Sequence, residues 1–272
     1  MTRMELMTHS KQTALITGAS GGIGYHLAQI FAEKGFDLAL IARNREKLEQ
    51  LARELKEKFK TDTYVLSKDL SNPDSPNQIF AEINEKKLEI NILVNNAGVG
   101  SHGFFHQTDM KHELGMIQLN VVSLTHLTKL FLPAMVQRKS GKILNVASTA
   151  AFQPGPLMAV YFATKAYVLS FSEALDEELR GSGVSVSVLC PGPTETDFQQ
   201  GAGIDTSVKL FRIAVMDSKT VAQAGYEGLM NHKRIIIPGF LNKLTPWSVK
   251  LSPRCIVPKV VRFLQESKHK KH

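Results

Sequence analysis

Hydrophobic and polar positions along this chain follow two alternating patterns. Short, continuous apolar runs predict buried strands, and between them apolar residues spaced three and four apart predict amphipathic helices. The predicted strands are Thr13–Thr17, Asp37–Ala42, Asp62–Ser67, Ile90–Val94, Lys142–Ala147, Val184–Cys190 and Arg234–Pro238. The predicted helices that follow the first six are 25–35, 45–59, 76–87, 111–138, 161–180 and 218–231.

This alternation contains no internal repeat and no linker. It predicts an α/β fold with a doubly wound, Rossmann-like parallel sheet in a single domain, whose ligands bind at the carboxyl ends of the strands. We assign residues 1–240 to a dinucleotide-binding catalytic domain. Residues 241–272 form a basic, amphipathic, helical C-terminal extension of the same domain, expected to cover the cleft or an interface.

Composition places the chain among ordinary soluble proteins, with 43% hydrophobic and 21% charged residues in 272. No apolar run approaches the ~20 residues of a membrane-spanning helix, and the first ten residues lack the apolar core of a signal peptide. The two cysteines, Cys190 and Cys255, are too few for a disulfide framework or a metal cluster. We therefore predict a cytoplasmic protein without a metal.

The net charge of +8 is confined to one end of the chain. Residues 234–272 contain nine lysines and arginines and one acidic residue, Glu266, so the remainder is formally neutral. This segment lacks a nucleic-acid-binding motif, and we expect no nucleic-acid partner.

A glycine-rich turn follows the first strand. The run Gly18-Ala-Ser-Gly-Gly-Ile-Gly24 leads from strand to helix, which is the context that a dinucleotide phosphate site requires. Taken alone, a glycine turn often only connects two elements.

The end of the second strand bears on the choice of cofactor. An NAD site usually places an acid there, whereas this chain has Arg43, followed by Arg45 and Lys47. An arginine binds a 2′-phosphate that a carboxylate would repel, so NADP(H) is favoured over NAD(H). The alternative is that these basic residues only cap and solvate the next helix.

Three further polar positions lie near predicted strand ends or within an apolar helix. Asp69 either accepts a hydrogen bond from adenine or caps a turn, and Asn95-Asn-Ala-Gly98 forms a corner after the fourth strand. Asn120 interrupts an apolar helical stretch, where asparagine is unfavourable. It is therefore either solvent-facing or functional.

The fifth strand leads to Ser148, and Tyr161 and Lys165 follow on one helix face, four residues apart. A neighbouring ammonium favours phenolate and lowers the pKa of the phenol. In isolation such a pair is more often an ordinary helix-surface contact.

Together, Thr17-Gly-x-x-x-Gly22-x-Gly24, Asn95–Gly98, Asn120, Ser148, Tyr161-x-x-x-Lys165 and Pro191-Gly192 resemble the short-chain dehydrogenase/reductase family over residues 12–240. The resemblance implies a hydride-transferring oxidoreductase with Tyr161 as general acid/base, aided by Lys165, Ser148 and Asn120. Lys165, with the oxidised nicotinamide, is expected to bring the Tyr161 pKa toward ~7. The implied cofactor-binding residues are Gly18, Ser20, Gly22, Ile23, Gly24, Arg43, Asp69, Leu70, Asn95, Ala97, Tyr161, Lys165, Pro191, Gly192, Thr194 and Thr196.

The expected substrate is a hydrophobic carbonyl compound or secondary alcohol, because the candidate pocket residues are apolar. These are Val99, Phe104, Phe105, Phe152, Met158, Pro193 and a 199–216 lid with Val208 and Phe211. The alternatives are a catalytically silent NADP-binding regulator and a lipid-surface binding protein. The resemblance also implies a homodimer or homotetramer, and the basic extension suggests contact with a membrane or an acyl carrier.

Overall fold

The computed structural model describes residues 11–196, 198–203 and 215–266. Its centre is a seven-stranded sheet in the order β3-β2-β1-β4-β5-β6-β7, and every strand pair is parallel. The strands are β1 (Thr13–Thr17), β2 (Asp37–Ala42), β3 (Thr63–Ser67), β4 (Ile90–Asn95), β5 (Gly141–Val146), β6 (Val184–Leu189) and β7 (Ile235–Ile236). The predicted doubly wound α/β sheet is confirmed.

The helices cover both faces of the sheet. They are α1 (Gly22–Glu33), α2 (Arg45–Phe59), α3 (Ser75–Glu85), α4 (Met110–Ile117), α5 (Leu124–Gln137), α6 (Ala159–Glu178), α7 (Phe198–Gly201), α8 (Ser218–Met230), α9 (Phe240–Leu251) and α10 (Val257–Gln265). A π-helical segment, Gln118–Ser123, joins α4 to α5, and a 3₁₀ turn, Thr149–Phe152, follows β5.

Two apolar cores lie on opposite faces of the sheet. One contains residues of α1, α2 and α8, such as Phe31, Leu51 and Leu229. The other contains residues of α3, α5 and α6, such as Ile79 and Phe131. Because both faces are buried, the strands are nearly all apolar, as their continuous runs predicted.

Within the described part of the chain, the continuous helical stretch Met110–Gln137 is long and apolar enough to cross a membrane, judged by length and composition alone. Its inner side contributes Met116, Leu127 and Phe131 to the apolar clusters. The fold thus uses this stretch to cover the sheet.

The strand order changes direction at the centre of the sheet. β1 pairs with β2 on one side and with β4 on the other, so the connections leaving β1 and β4 diverge. A crevice opens at such a point outside the carboxyl ends of the strands.

Candidate active site

Tyr161 lies in the first turn of α6 and is only 9% exposed. Burial raises the pKa of its phenol to about 12, and a hydrogen bond with Ser148 opposes this shift. Ser148 is held in place because its Oγ accepts a hydrogen bond from the Ala150 N–H and donates one to the Pro191 carbonyl. The loop after β5 thus presents a serine hydroxyl to a buried phenol.

Lys165 follows one turn later and is also buried. Its Nζ donates to the Val146 carbonyl at 2.9 Å and lies 5.8 Å from the centroid of the Tyr161 ring. Burial lowers the pKa of this ammonium to about 8. The expectation that Lys165 helps to bring the Tyr161 pKa toward ~7 is not met by the protein groups alone, since burial raises the pKa of the phenol and the opposing effect comes from Ser148.

Asn120 is 1% exposed and lies within the π-helical segment. Its Oδ1 accepts from the Val99 N–H, and its Nδ2 donates to the Val99 carbonyl and to Thr164 Oγ1. The solvent-facing alternative is therefore wrong. π-helical segments occur often at functional sites, and this one points Asn120 toward the loop after β4.

Gly98 brings Asn120 and Lys165 together. A Cβ placed on Gly98 would lie 3.3 Å from both Asn120 Oδ1 and Lys165 Nζ. The two polar groups thus flank one point of the main chain.

The glycine turn fits the pyrophosphate of a dinucleotide. Gly21 caps α1 without a side-chain hydrogen bond, so the amides of the first turn remain available to an anion. Gly18 and Gly22 adopt positive φ values of 67° and 54°, which favour glycine. Ser20 and Ile23 lie in the same turn, and a Cβ on Gly24 would lie 2.3 Å from the Gly18 carbonyl oxygen.

Arg43 directly follows β2 and is exposed. Arg45 pairs with Glu49 at 2.7 Å, and the cap of α2 is Asn44. Within the described residues Arg43 forms no ion pair. Binding of a 2′-phosphate by its guanidinium stays a prediction.

Asp69 and Leu70 are used locally. Asp69 Oδ1 accepts from both the N–H and the hydroxyl of Ser71, so the turn-capping alternative describes this oxygen. The Leu70 side chain is buried in the core, and its carbonyl accepts from Ser123. A cofactor contact at Leu70 is thus restricted to its main chain.

The Asn95 side chain is buried beside the site. Its Nδ2 donates to Thr128 Oγ1 and Asn145 Oδ1 in a buried polar network, which commits the side-chain donor to the helix and strand beside it. The Nδ2 group is therefore not available to a cofactor, whereas Oδ1 is buried without a hydrogen-bond partner among the described residues.

Thr17 and Asn96 are positioning residues that the predicted site omitted. Thr17 Oγ1 accepts from the N–H groups of Asn96 and Ala97, and Asn96 Nδ2 donates to the Thr17 carbonyl at 2.9 Å. These bonds fix the corner that carries Ala97 against the glycine turn. The sequence could have indicated both residues, since Thr17 begins the glycine motif and Asn96 lies within Asn95–Gly98.

The loop after β6 lies over the glycine turn. A Cβ on Gly22 would meet Thr196 Cγ2 at 2.8 Å, and Thr194 Oγ1 donates to the Gly192 carbonyl. Behind this loop, a Cβ on Gly192 would lie 2.4 Å from Asn242 Oδ1 of α9. Asn242 supports Pro191-Gly192 from a helix far along the sequence.

Apolar side chains surround the phenol. Tyr161 shares a cluster with Met116, Met158, Ala202, Val257 and Val261, against which Val99 and Phe198 pack. Val257 and Val261 belong to α10, so the extension covers this side of the site. Phe104 and Phe105 line a neighbouring cavity with Arg262, whereas Phe152 packs in a separate core cluster. Val208, Phe211 and most of the predicted 199–216 lid lie outside the described residues.

An open parallel sheet with an anion-binding glycine turn at its switch point, and a buried phenol and ammonium beside it, defines a nicotinamide-dinucleotide-dependent oxidoreductase. A profile of the short chain dehydrogenase family matches residues 12–206. The chain therefore belongs to the short chain dehydrogenase family, as the sequence motifs indicated.

Three known proteins illustrate the relationship. Very-long-chain 3-oxoacyl-CoA reductase of Homo sapiens is 38% identical over 182 residues, which cover 65% of this chain and 58% of that protein. A short-chain dehydrogenase from Sphingobium yanoikuyae, solved with NADPH, is 33% identical with a TM-score of 0.80, covering 95% of this chain and 100% of the other. The bulky-bulky ketone specific alcohol dehydrogenase from Comamonas testosteroni is 29% identical with a TM-score of 0.74, covering 89% and 95%. The chain thus matches less than two thirds of the reductase's length and nearly all of the two bacterial enzymes.

Proposed function

We propose that this protein uses NADPH to reduce a large, hydrophobic carbonyl compound. The observation that carries the proposal is the placement of the Tyr161 phenol, beside Ser148, within an apolar cluster and next to the buried Lys165 ammonium. A carbonyl oxygen entering this cluster meets two hydroxyl donors in a dry environment.

The chemistry that a bound nicotinamide dinucleotide would supply is hydride transfer to the carbonyl carbon, and this chain's residues stabilise the negative charge that develops on oxygen. The Ser148 hydroxyl rotates from the Pro191 carbonyl to donate a hydrogen bond to that oxygen, and Tyr161 Oη gives it a proton. The raised pKa of Tyr161 keeps the phenol protonated at neutral pH, as reduction requires. Lys165 then stabilises the phenolate, and we assign Asn120, which approaches Gly98 as Lys165 does, to the path by which the proton is replaced.

The preference for NADPH over NADH rests on the end of β2. Arg43 is exposed there, and the two positions after it are Asn44 and Arg45, so positions 43–45 hold no carboxylate that would oppose a 2′-phosphate. The NADPH complex of the Sphingobium relative supports the same cofactor.

The apolar lining supports the substrate class. The residues around Tyr161 are methionine, valine, alanine and phenylalanine, and the relatives are named for a very-long-chain 3-oxoacyl-CoA and for bulky-bulky ketones. We therefore propose a 3-oxoacyl thioester or a ketone with large apolar substituents.

We also propose that the protein forms a homodimer through α4, α5 and α6. Met110, Leu114 and Val122 leave 76%, 59% and 43% of their surfaces exposed. A shallow apolar depression beside them is lined by Ile117, Val121, Ala159, Val160 and Ala163. Analytical ultracentrifugation tests it, and a monomer at micromolar concentration contradicts it.

NADPH consumption over a carbonyl panel tests the proposed reaction. The panel runs from short aldehydes through bulky ketones and steroids to long 3-oxoacyl thioesters, with NADH in parallel. We expect turnover that increases with apolar size, and loss of at least ~10²-fold in kcat for Tyr161→Phe with NADPH binding retained. NADPH binding without turnover across the panel would instead support a silent regulator.

A further inference from the structure

The outward face of α9 carries a row of large apolar side chains. Phe240, Leu244, Trp247 and Leu251 are spaced four, three and four residues apart, and we call them the α9 outer stripe. They are 76%, 48%, 66% and 81% exposed, respectively. Residues at this spacing lie along one side of a helix, so the stripe is continuous over the length of α9.

The opposite side of α9 fixes its orientation. Asn242 is buried, donates to the Pro238 carbonyl at 2.8 Å and contacts Gly192. Val249 packs against the cluster around Tyr161. Because the inner face is anchored at two points, the stripe is held outward and is not free to turn into the core.

Basic side chains border the stripe. Lys243 and Lys250 are each adjacent in sequence to a stripe residue. Arg254 lies between α9 and α10, and Lys259 is an exposed residue of α10. None of the four forms an ion pair within residues 11–196, 198–203 and 215–266. Among residues 240–266 the sole carboxylate side chain, Glu266, pairs with Arg262.

We propose that the α9 outer stripe docks on an anionic membrane surface. Helices that bind in the interfacial plane combine an apolar face containing Trp, Phe and Leu with flanking lysines, and Trp favours the headgroup region. The unpaired cations match anionic lipid headgroups. A second copy of the chain is a poorer occupant, because a two-fold contact would bring the same basic residues together. This docking does not depend on catalytic turnover.

Trp247 makes the proposal directly measurable, because it is the sole tryptophan of the chain. We expect its fluorescence emission to shift to shorter wavelength with vesicles of phosphatidylcholine and phosphatidylglycerol at low salt. The protein should also sediment with these vesicles, and both effects should weaken with pure phosphatidylcholine or high salt.

Paired variants separate the stripe from general surface properties. Leu244→Ser/Leu251→Ser should lower the vesicle affinity roughly tenfold or more, since two buried leucine side chains are lost. Val136→Ser/Val215→Ser is the matched control at exposed apolar positions elsewhere and should bind like wild type.

The charge contribution is tested in the same way. Lys243→Glu/Lys250→Glu should lower affinity for anionic vesicles at least about tenfold, because each basic residue near such a surface contributes roughly fivefold. The control is Lys34→Glu/Lys86→Glu, two exposed lysines remote from α9, which should retain binding.

Four results would overturn the proposal. One is an unchanged Trp247 emission with anionic vesicles at low salt, and another is equal loss of binding in a control pair. A third is an emission shift that depends on protein concentration without vesicles, which assigns the stripe to a second copy. The last is a shift with an acyl carrier protein but none with vesicles.

Discussion

Lys165 and Tyr161 lie on the same side of α6, yet the ammonium contacts the ring face and not the hydroxyl. Nζ is 5.8 Å from the ring centroid, and its hydrogen bond goes to the Val146 carbonyl at 2.9 Å. Burial opposes charge on both groups, so the pKa of the phenol rises to about 12 and that of the ammonium falls to about 8. At neutral pH the Tyr161 phenol is therefore protonated, and the Lys165 ammonium beside it loses its proton more readily than an exposed lysine does.

The lysine pKa implies a pH-dependent stability. Lys165 has a pKa of about 8 in the folded protein and one near ~10.4 when unfolded. Between these values the unfolded chain holds a proton that the folded chain has lost, so stability rises with pH in that window. Relative to Lys165→Met, the wild type should gain about 2 kcal/mol of unfolding free energy between pH ~7 and ~9.5.

Urea unfolding of the cofactor-free protein at both pH values measures this gain. The upper pH stays below the range in which Tyr161 titrates, since its pKa is about 12. Lys34→Met, at an exposed position, is the control for general charge effects. A gap between wild type and Lys165→Met that does not change with pH would contradict the assignment.

Arg43 determines the cofactor preference that we propose. Arg43→Asp should lower the ratio of kcat/KM for NADPH to that for NADH roughly a hundredfold, because a charge-assisted hydrogen bond is replaced by like-charge repulsion. Steady-state kinetics with both cofactors measures the ratio. Arg45→Asp is the matched control, since Arg45 already pairs with Glu49. An equal effect of both variants on the ratio would contradict the proposal that Arg43 binds the 2′-phosphate.

The fold was predictable from sequence because its determinants are local. Strands buried on both faces give continuous apolar runs, and glycines mark the turn before α1. Arg43 was likewise assigned from its place at the end of a predicted strand, because parallel strands bring their carboxyl ends to one edge. The roles of Tyr161 and Lys165 were instead assigned through the resemblance of the whole set of motifs to the family.

Partners distant in sequence were not predictable. Asn95 and Asn120 are both buried asparagines near the site. Asn95 bonds Thr128 and Asn145, whereas Asn120 bonds Val99 and Thr164. No local sequence pattern distinguishes these two environments. The sequence around Asn120 has the apolar spacing of an ordinary α-helix, so the π-helical geometry was not predicted. The pKa directions at Tyr161 and Lys165 also depend on burial that only the assembled fold creates.

Gly192 and Asn242 provide a coupled pair. A Cβ on Gly192 would lie 2.4 Å from Asn242 Oδ1, so Gly192→Ala should lower the thermal stability and weaken NADPH binding. Asn242→Ala removes the obstructing amide and should recover part of both losses in the double variant, with a coupling energy of about 1–2 kcal/mol. Thermal melting and NADPH titration of the four proteins measure the cycle.

Gly115→Ala is the control for alanine substitution itself. It lies within α4, where an added Cβ meets none of the described residues within 4 Å, and it should be neutral or slightly stabilising. Strictly additive effects of Gly192→Ala and Asn242→Ala would show that the contact is not tight.

Two adjacent valines of α10 test whether the extension shapes the substrate pocket. Val261 is 5% exposed and packs in the cluster of Tyr161 and Met116, whereas Val260 is 51% exposed. Val261→Ser places a hydroxyl among apolar side chains and should raise KM for a bulky ketone roughly tenfold, because the apolar wall is loosened. Val260→Ser changes the same residue type one position away and should leave KM for the ketone unchanged.

The KM for NADPH is the control for both valine variants. It should stay constant, since α10 covers the phenol and the glycine turn lies under the loop after β6. A ketone KM like that of the wild type in Val261→Ile would confirm that apolar packing is the cause. A rise in the KM for NADPH together with that for the ketone would indicate general unfolding instead.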